Sequence, residues 1–566
     1  YDISWNIIEK TDANWTVIKN TYDILNRLIK RDIILTNWVW WITSESYEYD
    51  SLWRLINWND NLSNELLFSY DSLNRLTSET NGWKTFSYTY DISWNKISET
   101  NSNNITTDYI YDKSNRLTNI SKNSEELVKY TYDNFSLLKK EYLNTLETNY
   151  EYDDLLRLST LTNTNNYSYT YDKSGNITSN WQENYSYDIQ NQIIRAESLT
   201  KHNKNNKTIF SYDNMWNRNF HENVKTHINK KSKKEKEYTA KYEYEINNLN
   251  QYSDKTRVKK NKKVDTETTW TWETIELEWR LLYDKNGNLI WNMLNKKREY
   301  IYTYDYKNRL IKIEKNITKK PKNKKETIQK QKIVEMHYDI LWRRIQKTFN
   351  NNSYRKYYYS NQDIILEENY TKKAKLKNSK EFTYWLWVDD IIVMTDIQVN
   401  TKKIKEEYEN KKGKKKTRTI REKYQERINY FYRKNHLWSI VAITDNTGKI
   451  LEEYEYDVFG KPYTKEEDWK IIRLKKSKVW NTRLYTGREY DRGLGLYYNR
   501  ARYYNPVLGR FISRDPIDVS DDVNLYGYVG NNGTMFVDLF WLAKQLQEDI
   551  SNRNSFVIEL VARRLD

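Results

Sequence analysis

The sequence predicts an all-β protein built as a ribbon of stacked hairpins. Three observations carry that prediction. A Tyr-Asp motif recurs at steps of 19 to 21 residues over a long stretch of the chain. The composition favours pleated surfaces, with 51 Tyr, 22 Trp and 13 Phe beside 4 Pro, 13 Gly and few alanines. Ahead of each motif, aromatic or aliphatic residues alternate with polar ones, which is the period of a half-buried strand.

The repeat is Tyr-Asp, two variable residues, Gly or Asn, then Asn or Arg and an aliphatic residue. Clear copies begin at Tyr1, Tyr22, Tyr49, Tyr70, Tyr90, Tyr111, Tyr152, Tyr171, Tyr283, Tyr304 and Tyr338. Degenerate copies begin at Tyr132, Tyr187, Tyr212 and Tyr456. From Tyr49 through Tyr70, Tyr90, Tyr111, Tyr132 and Tyr152 to Tyr171 the steps are 21, 20, 21, 21, 20 and 19 residues. A fixed period of this size is the mark of a repeat architecture. Tyr167, Tyr169 and Tyr171 illustrate the strand before the turn, and Arg75-Leu76-Thr77 and Asn176-Ile177-Thr178 the strand after it. One unit is therefore close to one hairpin, which is marginal alone and gains stability by stacking on its neighbours. Tyrosine suits such a sheet because it adds apolar area while its hydroxyl needs water or a partner.

The turn slot holds Gly175 and Gly287 in some copies and Asn26, Asn74, Asn115 and Asn308 in others. These residue types tolerate positive φ. The same slot holds Trp5, Trp53, Trp94, Trp216 and Trp342, where a bulky side chain is strained. The expectation is that many of these tryptophans are glycine in the native protein, through UGA codons that the host reads as glycine. The competing expectation is a genuine exposed ladder for stacking sugars.

The chain divides into tight repeats over 1–195, repeats separated by Lys/Asn/Glu-rich insertions over 196–428, a Gly/Arg/Tyr-rich segment over 429–542, and a different tail over 543–566. The insertions read as long hairpin loops. They carry much of the net charge of +16, in tracts such as Lys230–Lys236, Lys259–Lys263, Lys319–Lys325 and Lys411–Lys416. Interleaved Asn, Glu and Thr make solvated loops the better reading of these tracts than a face for nucleic acid or cell-wall polymer. With no cysteine, neither disulfides nor thiolate zinc sites are possible. His202, His221, His227, His337 and His436 show no metal-binding spacing, so neither metal nor cofactor is expected. No apolar run has transmembrane length. The chain opens at Tyr1 inside a repeat, so the native N-terminus is expected upstream.

The segment Glu489-Tyr490-Asp491-Arg492-Gly493-Leu494-Gly495-Leu496-Tyr497-Tyr498-Asn499-Arg500-Ala501-Arg502-Tyr503-Tyr504-Asn505-Pro506 closely resembles the RHS-repeat-associated core domain. The likeness continues through Gly509-Arg510-Phe511-Ile512-Ser513-Arg514-Asp515-Pro516 and Asn524-Leu525-Tyr526-Gly527-Tyr528, and upstream through His436-Leu437-Trp438-Ser439. With the YD repeats it covers nearly the whole chain. The resemblance implies a ribbon that spirals into a large hollow shell, closed by a C-terminal core plug and enclosing a variable toxin. It also implies self-cleavage by core aspartates at an Asp-Pro-x-Gly-Leu motif. Carried over, the aspartates are Asp515, preceded by Arg514, and Asp538, and the cut falls between Leu542 and Ala543. The motif departs at Leu539, where proline is expected, and at Trp541, where glycine is expected; Trp387 and Trp438 also fall at expected glycines.

Two carboxylates brought close together cannot both ionise easily, so such a pair can act on a water as base and acid. Arg514 could hold one carboxylate ionised or orient the scissile peptide. Read without the resemblance, Asp515 caps a turn before Pro516 and Asp538 ends a strand. Asp518, Asp521 and Asp522 are weaker acidic candidates. The repeat aspartates, such as Asp71, Asp112 and Asp172, are turn formers. The tail after Leu542 is too short for a typical independently folded toxin: the sequence is truncated, the toxin is degraded, or the tail begins a domain encoded beyond its end. The leading expectation is a secreted or cell-surface toxin shell whose partners are its own C-terminal toxin and an immunity protein. The alternative is a non-cleaving surface adhesin for glycans or anionic polymers, and a nucleic-acid-binding protein ranks third.

Overall fold

The computed structural model describes all residues except 35–41, 144–145, 199–205, 229–234, 253–255, 267–268, 295–297, 320–326, 386–387, 410–414, 465–471, 474–476, 517–523 and 539–566. The described residues contain no α-helix. A 16-stranded sheet runs from Glu9 to Ser168 and a 23-stranded sheet from Thr170 to Arg473, and in both the spatial order of strands is the chain order. Each strand pairs antiparallel with the one before it, as Glu65–Tyr70 does with Leu76–Asn81. Across the break between the sheets, the Tyr169 N–H still donates to Ser159 O at 2.8 Å. The ribbon is thus one meander.

The repeat around Asp71 shows what each motif residue contributes. Asp71 Oδ1 accepts the backbone N–H of Leu73 and of Arg75, each at 2.9 Å, which folds the turn. Asn74, at φ 65°, closes it by donating its N–H to Asp71 O at 3.2 Å. Arg75 Nε donates to Asp71 Oδ2 at 2.7 Å, and its Nη1 reaches the carbonyl of Asp91 in the next turn, also at 2.7 Å. The same guanidinium lies over the ring of Tyr90 at 5.1 Å. Tyr90 in turn donates its hydroxyl to Leu76 O at 2.9 Å. Tyr49, Tyr70, Tyr111, Tyr132, Tyr152 and Tyr171 staple to Leu28, Leu55, Lys96, Leu117, Leu138 and Leu158 in the same way. Each staple contributes roughly 0.5–1.5 kcal/mol. Tyrosine and arginine are therefore links between neighbouring repeats, while aspartate and the left-handed residue act within one.

The turn slot behaves as its glycines and asparagines imply. Trp5, Trp53, Trp94, Trp216 and Trp342 all sit at φ between 59° and 69°, as do Asn26, Asn74, Asn115 and Asn308. Trp438 is also left-handed at 56°, and so are Trp15 and Trp480. Trp387 and Trp541 lie outside the described residues.

The ribbon winds into a hollow shell, and one lap rests on the next. Asn14 donates to Asp284 across 270 residues, and Asn286 donates back to Asp12 across 274. Further along, Tyr306 donates to Glu45 across 261 residues, Arg343 to Glu79 across 264, Asn101 to Glu381 across 280 and Arg433 to Thr148 across 285. The seam is lined with buried charge: Glu45 faces Lys307 and Arg31, Glu381 faces Lys122, and Lys434 faces Asp390. Apolar clusters lie along the same junction. One joins Phe86 and Tyr88 of the first lap to Tyr357 and Ile364 of the second and to Tyr497 and Tyr528 of the C-terminal segment.

One Lys/Asn/Glu-rich tract differs from the loop expected of it, while residues 230–234, 320–325 and 411–414 of the others lie outside the described residues. Lys259–Lys263 lies within the strand Thr256–Thr266, which pairs on one side with Glu235–Glu243 and on the other with Thr269–Tyr283. The register sets Arg257 opposite Glu278, Lys259 opposite Glu276 and Lys262 opposite Glu273. Ile391–Glu409 and Lys415–Lys434 form a second long hairpin, with Lys402 opposite Glu422 and Glu406 opposite Arg418. The tract Lys259–Lys263 therefore extends the sheet.

The C-terminal plug is a separate 4-stranded meander, Glu489–Asp491, Leu496–Asn499, Arg502–Asn505 and Arg510–Phe511. Its last three strands are buried throughout. Tyr497 and Tyr504 donate to the carbonyls of Gly460 and Phe459, each at 2.8 Å, and Tyr498 accepts the backbone N–H of Arg344 at 2.7 Å. The plug is bound to the wall by its tyrosines as the repeats are bound to one another.

Candidate functional site

Asp515 follows the last plug strand and Asp538 lies beyond the buried turn that closes at Phe536. The Asp515 N–H donates to Leu525 O at 2.9 Å, and Phe511 N–H to Tyr526 O at 3.0 Å, so the segment 511–515 is tied to 525–526. Past it, Met535 and Phe536 donate their N–H groups back to Asn532 O at 3.3 and 3.2 Å. Asn532, fully buried, donates to Asn176 Oδ1 and to Asn191 O of the wall. His436 bridges the same junction: its Nε2 lies 2.9 Å from Thr534 O and its Nδ1 3.2 Å from the Tyr169 hydroxyl. Burial pulls the His436 pKa down to about 4, so the ring is neutral at pH 7.

The two aspartates meet on one guanidinium. Arg502 Nη2 lies 3.0 Å from Asp515 Oδ2 and 3.6 Å from Asp538 Oδ2. Arg502 is itself buried and stacks its guanidinium on the ring of Phe511, 3.7 Å from the centroid, which fixes its plane. Asp538 is 6% exposed and Asp515 is half-buried. The backbone carbonyl of Asp538 accepts a hydrogen bond from Arg488 Nη2 at 2.5 Å. Burial, then the Asp538 carboxylate, pushes the neighbouring Tyr528 hydroxyl above the ordinary tyrosine range.

Arg514 reaches the wall. It is exposed and runs alongside Gly287, at φ 84°, where an added Cβ would lie 2.3 Å from Arg514 Cδ. Arg502 and Arg488 touch the site, and sequence reasoning passed over both. Their signal was available: Arg500 and Arg502 flank one alanine at strand spacing, and a run this rich in arginine must find acidic partners when it is buried. Leu542, Ala543, Leu539, Asp518, Asp521 and Asp522 lie outside the described residues. Among the described residues no cluster of three or more His, Asp or Glu side chains could hold a metal ion. No helix among them is long and apolar enough to cross a membrane.

No family model matches the chain. It is 31% identical over 260 residues to the tRNA3(Ser)-specific nuclease WapA of Bacillus spizizenii, an alignment covering 45% of this chain and 9% of that protein. It is 35% identical over 108 residues to the toxin subunit YenC1 of Yersinia entomophaga, covering 19% of this chain and 10% of that one. It is 30% identical over 108 residues to the toxin protein Tse5 of Pseudomonas aeruginosa, covering 19% and 7%. This chain thus spans a small part of the curated relatives it matches. Among solved structures, TcdB2-TccC3-TEV superposes with a TM-score of 0.62 at 16% identity, covering 96% of this chain and 27% of that chain. The Photorhabdus luminescens Tc holotoxin pore superposes at 0.58 and 16% identity, covering 98% and 27%. The chain therefore has the spiral β-shell fold of the TcdB2-TccC3 structures, and its sequence relatives include curated toxins.

Proposed function

We propose that this chain belongs to a secreted or cell-surface toxin shell that encloses a C-terminal toxin and frees it by cutting between Leu542 and Ala543. The observation that carries the reading is the pairing of Asp515 and Asp538 on Arg502 within a plug packed against the wall. In the proposed hydrolysis one carboxylate takes a proton from a water as its oxygen attacks the Leu542 carbonyl carbon. The other donates a proton to the Ala543 nitrogen as the C–N bond breaks, leaving a new carboxyl and a new amine. Arg502 makes the two aspartates inequivalent, since it lies closer to Asp515 than to Asp538. The shell would keep the toxin from the producing cell until delivery, beside an immunity protein that neutralises escaped toxin. No cofactor takes part in this scheme.

The test is the intact mass of the chain carrying a tagged extension beyond Asp566, beside Asp515→Asn and Asp538→Asn. A cut after Leu542 in the wild type, lost in either variant, is the expected result. A folded but uncut wild type supports the non-cleaving adhesin instead, with cell-surface glycan as its partner.

A further inference from the structure

Arg488 stands at the centre of a buried charge cluster that the proposed chemistry does not use. Its Nη2 donates to the Asp538 carbonyl at 2.5 Å, and its Nη1 lies 2.9 Å from Asp389 Oδ2. Asp389 is gripped from a second side by Arg500, whose Nη1 and Nη2 reach its two oxygens at 3.0 and 3.1 Å. The Asp389 N–H donates to Asp363 Oδ1 at 2.8 Å, and Arg500 Nη2 lies 3.8 Å from that same oxygen. Two arginines of the plug thus interlock with two aspartates of the wall.

The arrangement is closely packed. Asp389 sits at φ 67°, a left-handed conformation unfavourable to most side chains. The turn Tyr485–Gly487 presses on it closely enough that a Cβ at Gly487 would lie 2.1 Å from Asp389 O. Both guanidinium groups are almost fully buried, at 3 to 4% exposure. A bidentate carboxylate is a rigid holder for a guanidinium. The group Arg488 offers beyond the cluster goes to the main chain of Asp538, four residues before Leu542.

We propose that Arg488, oriented by Asp389 and Arg500, is a positioning residue for the self-cleavage proposed above, fixing the main chain at Asp538 so that the exiting peptide meets the aspartate pair. The wall then takes part in the cut through Asp389 although it supplies no reacting group. A misplacement of about 1 Å at a reacting group can cost on the order of 100-fold in rate.

The test measures the single-turnover cleavage rate per folded molecule and the mass of each product, for the wild type, Arg488→Gln, Arg488→Lys and Asp389→Asn, all with the tagged extension. The thermal transition of each variant reports the folded fraction. The expected result is a roughly 10- to 100-fold slower cut in Arg488→Gln and Asp389→Asn, with added products cut at neighbouring peptides, and partial rescue by Arg488→Lys. A wild-type rate and a single wild-type product in both Arg488→Gln and Asp389→Asn overturn the positioning role and leave self-cleavage standing. Loss of rate matched by an equal loss of folded fraction, with no change in product masses or rescue, also overturns it. An uncut wild type overturns the self-cleavage reading and the positioning role together.

Discussion

The same turn occurs on both laps of the ribbon with nearly the same local geometry and very different surroundings. On the first lap Arg75 pairs with Asp71 at 2.7 Å, with 15% and 23% of the two side chains exposed. On the second lap Arg343 pairs with Asp339 at 2.7 Å and neither side chain is exposed at all. The difference is the first lap itself, which lays Glu79 against Arg343 at 2.5 Å. A motif whose internal bonds build a turn anywhere becomes a seam wherever the next lap covers it.

Breaking the comparison is most direct at the arginines. Arg343→Ala leaves Asp339 and Glu79 buried without their shared cation and is expected to destabilise the shell by about 3–5 kcal/mol. Arg75→Ala, at a partly solvated pair, should cost about 1 kcal/mol or less. Urea titration of the two variants checks the contrast, and equal losses would show that the laps are not in contact in solution. An intermediate effect is expected from pH. Burial, then the neighbouring Asp389 carboxylate, pushes the Asp363 pKa up to about 7, against the pull of Arg500 and Lys96. Tyr109 and Tyr384 sense the same charge. The folded state therefore holds this proton more tightly than the unfolded chain, whose value is near 3.8. Its contribution to stability is fully present below that value and is lost as pH rises towards about 7. Thermal melts between pH 5 and 8, taken at about those values, should lose part of their slope in Asp363→Asn.

The smallest effect sharpens the reading of the turns. Trp94 at φ 69° carries the strain of a left-handed non-glycine residue, of order 1–2 kcal/mol. Trp94→Gly should return about 1 kcal/mol of it, offset in part by the loss of the Arg75 contact with the indole at 5.6 Å. The companion measurement is the peptide mass at this position in protein from the native host. A glycine mass supports UGA read as glycine, and a tryptophan mass ends that reading.

Much of the wall was legible because its causes are local. The Tyr-Asp period, the left-handed slot and the alternation before it each act within a single hairpin, and Asn74 and Gly175 adopt the conformations their chemistry favours. The lap contacts were not legible, because nothing near Glu79 in the chain names Arg343 as its partner 264 residues away. One lysine tract was misplaced for a related reason. Lys259–Lys263 reads as a loop until the backbone register with Thr269–Tyr283 places it within a strand. At the candidate site the resemblance singled out Asp515 and Asp538 but not Arg502, which lies against both. Its guanidinium comes from the strand Arg502–Asn505, which no local pattern in the sequence ties to Asp538.

The lap spacing makes the shell a vernier. The seam hydrogen bonds named above recur at offsets between 261 and 285 residues, and each repeat on the lower turn must arrive under a particular repeat on the upper one. Deleting one hairpin from the first lap would shift every later pairing along the seam and carry Glu79 away from Arg343. Lengthening a hairpin outward, as in Ile391–Glu409 with Lys415–Lys434, leaves the count of strands and every seam partner unchanged. The circumference is thus held as a whole number of units while hairpin tips stay free to vary, so lineages of such shells should differ in the length of their spines far more than in their girth.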